Sequence, residues 1–143
     1  MTAVAFHFNV PDRRAYACRL LRKAYLSGAR VAVTGEAALL DELDRLLWTF
    51  QPLEFVPHWR GPDLVALPAR QQDTPVVLVG RHAPTRGHDV LVNLGRQVPD
   101  GFQQYRRVIE IVSRHELDRE EARARWRAYG AQGCTIERHE VRP

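Results

Sequence analysis

The sequence predicts a three-layer, Rossmann-like α/β domain. Its sheet is mostly parallel or mixed, with about six or seven strands and three main helices. Two observations lead there. The first half alternates strand and helix patterns in the order β-α-β-α, as a largely parallel sheet covered by helices requires. Downstream, "PVVLVG" and "HDVLVNLG" are short, apolar strand candidates, and a long helix near the end is followed by one more strand pattern. A chain of 143 residues suits one domain, 1–143, around one hydrophobic core.

Each element has a local reason. "AVAFHFNV" (3–10) is rich in Val and Phe and partly alternating, which reads as a strand. Pro11 and Asp12 open a helix whose apolar positions Ala17, Leu20, Leu21, Ala24 and Tyr25 fall at helical spacing, with Gly28 suited to its C-terminal cap. "RVAVTG" (30–35) is a short strand. "GEAALLDELDRLLWTF" is a second amphipathic helix with Leu39, Leu43, Leu46 and Leu47 inward. "QPLEFVPHWRGP" (51–62) breaks the alternation with prolines and a Gly-Pro pair and reads as a loop or edge segment. "DLVALPA" (63–69) is a weak strand. The strands 75–80 and 88–95 are joined by the polar loop "RHAPTRG", "YRRVIEIVS" (105–113) is a further strand, and "CTIERHEV" closes the chain after the last helix.

Composition narrows the function. Net charge is +4, and Lys23 is the only lysine, so the positive charge is almost all arginine. Arginine presents a planar fork that pairs with carboxylates and phosphates, so an acidic peptide or a nucleic acid is the expected kind of partner. No run of 18 apolar residues is present, and the N-terminus reads as a strand and not as a signal peptide, which places the protein in the cytoplasm, away from membranes. Cys18 and Cys134 are read as free thiols.

Catalytic and cofactor motifs are missing. There is no GxxxxGK[ST] and no GxGxxG after the first strand, and the single glycine of "VTGEAALL" reads as an ordinary βα turn. The six histidines form no HxH or HxxxH pair, and His82 and His88 read as a solvated loop pair. Neither Ser27 nor Ser113 lies in a GxSxG elbow, and the "DELD" and "DREE" runs read as solvated helix faces. The expectation is a binding or assembly protein without metal, cofactor or catalytic residues.

The last helix carries the strongest candidate site. At 100° per residue, Arg123, Trp126, Arg127 and Gly130 share one arc of about 100°. Leu117, Ala124 and Ala128 lie opposite and are expected to face the sheet, with Ala122 and Tyr129 at the margin. An indole between two guanidinium groups suits a peptide ending in an aromatic residue and a free carboxylate. It equally suits a stacked base beside a phosphate.

Three stretches, "LDRLLWTFQPLEFVPH" (43–58), "DVLVNL" (89–94) and "ARARWRAYGAQG" (122–133), together resemble the chi subunits of the bacterial DNA polymerase III holoenzyme. The resemblance implies a Rossmann-like fold and a non-catalytic subunit of the clamp-loader assembly. Its implied role is to bind the acidic C-terminal tail of single-stranded DNA-binding protein, which ends in Pro-Phe, and so to bridge that protein to the replisome. By resemblance Arg123, Trp126, Arg127 and Gly130 fall at the tail-gripping site. The family more often has tyrosine where Trp126 stands and often lysine where Arg127 stands. Trp48, Phe55 and Pro57 match positions that bind the psi subunit. Strong direct binding of nucleic acid is not expected from the resemblance, and binding of a single strand by the same helix face is the alternative.

Overall fold

The computed structural model describes residues 2–49, 55–63, 66–71, 73–81 and 87–142. Its strands are β1 (Ala3–Val10), β2 (Val31–Thr34), β3 (His58–Asp63), β4 (Val76–Arg81), β5 (Val90–Asn93), β6 (Arg107–Ser113) and β7 (Thr135–Glu140). The helices are α1 (Arg13–Leu26), α2 (Ala37–Thr49) and α3 (Glu116–Ala131). Among the described residues the strands form one seven-stranded sheet in the order β3-β4-β2-β5-β6-β1-β7. Every pairing in it is parallel. β3 and β7 are therefore the two edges.

The two faces of the sheet carry different cores. Val31, Val33, Val76, Leu78, Val90, Val92, Ile109 and Ile111 pack against Ala17, Cys18 and Leu21 of α1 and Leu40, Leu43 and Leu47 of α2. Val4, Phe6, Ala32, Val77, Leu91, Val108 and Val112 face Ala122 and Tyr129 of α3. Alternation along each strand produces this division, because successive side chains point to opposite faces. α1 starts on Asp12, whose carboxylate accepts hydrogen bonds from the Arg14 and Ala15 amides. It ends at Gly28, which takes the left-handed conformation (φ 84°).

β1 contains one departure. Asn9 has φ 63°, and the pairing with β6 shifts register between His7 and Val10. This bulge turns Val10 into the α1–α2 core while Phe8 stays on the α3 side. The Asn9 side chain holds the kink by donating to the Val141 carbonyl at 3.1 Å.

Several sequence expectations are corrected. Residues 58–62, part of the segment read as a loop or edge, form with Asp63 the edge strand β3, paired to β4 from His58↔Val76 onward. Pro62 is tolerated because an edge strand leaves one side of the ladder unpaired. Gly61 is covered by the Trp59 indole, to which a Cβ would come as close as 2.1 Å. Of the strand read over 63–69, Asp63 closes β3, residues 64 and 65 lie outside the described residues, and 66–69 are not in a strand. His82 also lies outside the described residues. His88 is not a solvated loop residue: it is 1% exposed, with Nε2 3.2 Å from the Thr74 carbonyl.

The largest correction concerns α3. Its buried residues are Ala122, Arg125 and Tyr129, whereas Leu117 is 59% exposed, Ala124 is exposed and Ala128 is half-buried. The helix is rotated by roughly a third of a turn from the alanine-inward arrangement. The reason lies in β6. Glu110 is fully buried there, and Arg125 Nε donates to its Oε1 at 3.0 Å. Tyr129 Oη donates to Oε2 at 2.7 Å, and Asn93 Nδ2 donates to the same oxygen at 2.9 Å. Burial pushes the Glu110 pKa up, while the guanidinium and the three donated hydrogen bonds oppose that shift.

Two outcomes follow. Arg125→Leu keeps the apolar volume but leaves the Glu110 carboxylate without its cation, so urea denaturation should show a loss of about 3–5 kcal/mol. The double variant Arg125→Leu/Glu110→Leu should recover much of that loss, because no buried charge then stands alone.

The second outcome concerns acid. His7 on β1 is hydrogen-bonded to Tyr16 and packs against His139, the tilted rings 4.9 Å apart. Burial and the neighbouring His139, Arg107 and Lys23 charges hold its pKa down at about 4. Burial also lowers the His88 pKa. Below the usual value of 6.5 the unfolded chain takes up protons that folded His7 refuses, so stability falls as pH drops from 6.5 towards 4. Urea midpoints for the parent and His7→Gln, compared across that window, should show a smaller loss in the variant.

Candidate functional site

Turning α3 onto Glu110 also decides what lies beside the core. Phe6 pairs in register with Glu110 of β6 on one side and with Arg138 of β7 on the other. In-register neighbours share a face, so Asn93, Glu110, Phe6 and Arg138 form one row across four strands beneath α3. Arg125 and Tyr129 cover the first part of the row. Trp126 covers Phe6, with ring centroids 5.0 Å apart. Arg138, on the edge strand, remains exposed.

Between α3 and β7 the surface opens into a groove of about 440 Å³. Phe6, Phe8, Val112, Ala122 and Trp126 supply its apolar surface. Arg119, Arg123 and Arg127 stand on the α3 wall and Arg138 on the β7 wall. Among the described residues no carboxylate lines it. Arg119 lies 3.9 Å from Glu116 one turn back, and the Arg138 guanidinium lies 5.0 Å from the centroid of the Phe8 ring. Among the described residues Arg123 and Arg127 make no ion pair, so their charge is available to a ligand.

The structure thus brings Arg123, Trp126 and Arg127 together, but not as a free face opposite the core. Trp126 is half-buried against Phe6, and the two arginines flank it towards solvent. Gly130 is exposed one turn further on and does not line the groove. Sequence reasoning did not single out Phe8, Arg119 or Arg138 for this site. The signal for Arg138 was strand register, which one sequence does not display. For Glu110, the signal was a carboxylate inside the apolar run "RVIEIVS".

A larger crevice of about 860 Å³ opens at the carboxyl ends of the strands, where Thr34, Gly35, Gly80 and Asn93 meet. Among the described residues its charged side chains are Arg96, Glu36, Asp100 and Glu121, and Glu121 holds Arg96 at 2.7 Å. Three carboxylates against one paired arginine make a poor anion site, so size does not make this the better candidate. Among the described residues no cluster of three or more His, Cys, Asp or Glu could hold a metal ion, and no helix is long and apolar enough to cross a membrane. Cys18 and Cys134 are both free.

The second set of sequence candidates meets at the far edge of the sheet. Trp48 ends α2 and is 57% exposed, and Phe55 is 50% exposed. Their rings lie 4.9 Å apart, and Trp48 also packs, tilted, with its ring centre 5.0 Å from that of His58. His58 is fixed from behind, with Nε2 2.9 Å from Asp44 and Nδ1 2.7 Å from the Val56 carbonyl. Pro57 is half-buried next to this patch.

Residues 1–137 match the family described as DNA polymerase III chi subunit, HolC. The DNA polymerase III subunit chi of Pseudomonas aeruginosa is 32% identical over 147 aligned positions, covering 99% of this chain and 98% of the relative. That of Haemophilus influenzae is 30% identical over 128 positions, covering 87% and 85% respectively.

Burial separates the groove residues in a measurable way. Arg123→Ala removes an exposed side chain and should change stability by no more than about 0.5 kcal/mol. Trp126→Ala strips a half-buried ring from Phe6 and should cost about 1.5–2.5 kcal/mol, roughly half of a fully buried aromatic. Thermal or urea unfolding of both variants checks this ordering.

Proposed function

The chain belongs to the DNA polymerase III chi-subunit family, and from that premise we propose that it is a non-catalytic adaptor of the clamp-loader assembly. In this reading the adaptor binds the acidic C-terminal tail of single-stranded DNA-binding protein in the α3–β7 groove and links that protein to the replisome. The observation that carries the reading is a groove that, among the described residues, has an apolar floor, four arginines and no carboxylate. A peptide ending in an aromatic residue offers both things such a groove lacks. Its ring would lie against Trp126 and Phe6, and its terminal carboxylate would meet the forks of Arg123 and Arg127. Gly130 lies one turn beyond Trp126, outside the groove lining, and a Cβ there would meet open space beyond its own helix. An Arg-rich groove also speeds encounter with an acidic tail, in a manner that salt weakens.

Trp48, Phe55 and Pro57 form the second proposed interface, for the psi subunit. Exposed, mutually stacked aromatics held on a fixed histidine have the character of interface anchors. The polymerase holoenzyme is the assembly in which both contacts would operate, in the cytoplasm.

Single-stranded nucleic acid is the competing ligand for the same groove. Trp126 already gives part of its surface to Phe6, which suits a recessed side-chain pocket better than an open stacking platform.

A synthetic acidic peptide ending Asp-Ile-Pro-Phe should bind the full chain, and more weakly as salt rises. Removing the terminal Phe, or introducing Arg123→Ala or Trp126→Ala, should abolish binding, whereas Trp48→Ala should leave it unchanged. Isothermal titration measures this. Equal binding by the parent and the two groove variants would refute the assignment, and tight binding of an oligonucleotide without any protein partner would favour the nucleic-acid reading.

A further inference from the structure

We propose that Arg138 is a separate anion-holding group of this groove, taking the side-chain carboxylate of an acidic residue in the bound peptide and not the peptide's terminal carboxylate. The inference rests on the tail-binding reading above and extends it to a residue on a different element. Arg123 and Arg127 rise from α3 on either side of Trp126. Arg138 stands on the opposite wall, on the edge strand β7, in register with Phe6 and on the same face.

Its guanidinium lies 5.0 Å from the centre of the Phe8 ring. A ring at that distance attracts the cation and restrains its orientation, so less side-chain freedom is lost when an anion binds. No described carboxylate forms an ion pair with it. The groove therefore has two cationic walls separated by an apolar floor. A terminal carboxylate held by the α3 arginines leaves Arg138 to a second anion. A chain whose aromatic end lies against Trp126 and which continues over Phe8 brings an acidic residue preceding that end to Arg138.

The test uses the full chain and three synthetic peptides. One is acidic and ends Pro-Phe with a free carboxylate; one has its Asp residues replaced by Asn; one is acidic with an amidated C-terminus. Arg138→Gln should weaken the first by about three- to tenfold, the range of a solvent-facing charge-assisted contact. It should leave affinity for the Asn peptide unchanged and preserve the parent's discrimination against the amidated peptide. Arg138 is exposed, so the variant should fold as the parent does. The proposal is overturned if Arg138→Gln binds the acidic peptide as well as the parent does, or loses the same factor against the Asn peptide. If Arg123→Ala and Trp126→Ala lose binding and Arg138→Gln does not, the tail-binding reading stands and only the role of Arg138 falls. If the parent binds none of the three peptides, both fall together.

Discussion

The buried pair of Glu110 and Arg125 is the interaction on which the functional surface depends. An ionised carboxylate in the centre of a sheet face is tolerated only with a cation and a full set of donors. Here the cation comes from α3, one donor is Tyr129 on the same helix, and another is Asn93 on the neighbouring strand. Arg125 reaches further and donates to the Arg96 carbonyl at 3.2 Å, while Asn93 donates to the Gln97 carbonyl at 3.0 Å. The network therefore ties α3, β5, β6 and the segment after β5 into one rigid block. Such a pair adds little net stability compared with apolar groups of equal volume. What it does supply is a single allowed rotation of α3, because any other rotation leaves Glu110 buried and alone.

That rotation passes directly into the shape of the groove. With Arg125 and Tyr129 over the Glu110 part of the row, Trp126 is set over Phe6, and the next strand position outward, Arg138, is left uncovered. The helix is too narrow to roof four strands, so a trough between α3 and the edge strand is a geometric consequence. The bulge at Asn9 matters for the same reason. It sends Val10 to the opposite core, so Phe8 is the last aromatic of β1 on this side and marks where the floor ends.

Much of this was legible in the sequence. The strand-helix alternation, the starts of α1 and α2, and the apolar stripes of Leu21, Leu43 and Leu47 follow from period and capping, both local properties. The face of α3 was not legible locally. Reading inward residues by polarity selects Ala124 and Ala128 and rejects Arg125, yet Arg125 is 3% exposed. Only its pairing with a carboxylate 15 residues earlier makes burial favourable, and that is a tertiary fact. Residues 58–62 were read only as a loop or edge segment, and not firmly as a strand, for a related reason. Gly61 and Pro62 speak against a strand in isolation, and both are admitted because β3 is an edge. Arg123, Trp126 and Arg127 do share a surface, though as the flank of the core and not its opposite side.

The two candidate surfaces are separated by the sheet itself. Trp48 belongs to α2, which packs on one face beside the β3 edge, whereas the groove lies under α3 on the other face at the β7 edge. Six strand spacings of 4.7–4.9 Å put those edges about 29 Å apart. At that separation the two surfaces share no residue and face different sides of the sheet. A rigid parallel sheet between two distant sites is the geometry that a bridging role asks for. The Glu110–Arg125 network explains how it is kept rigid on the groove side, since the helix wall that would grip an acidic tail is fastened to the sheet by its own buried charge.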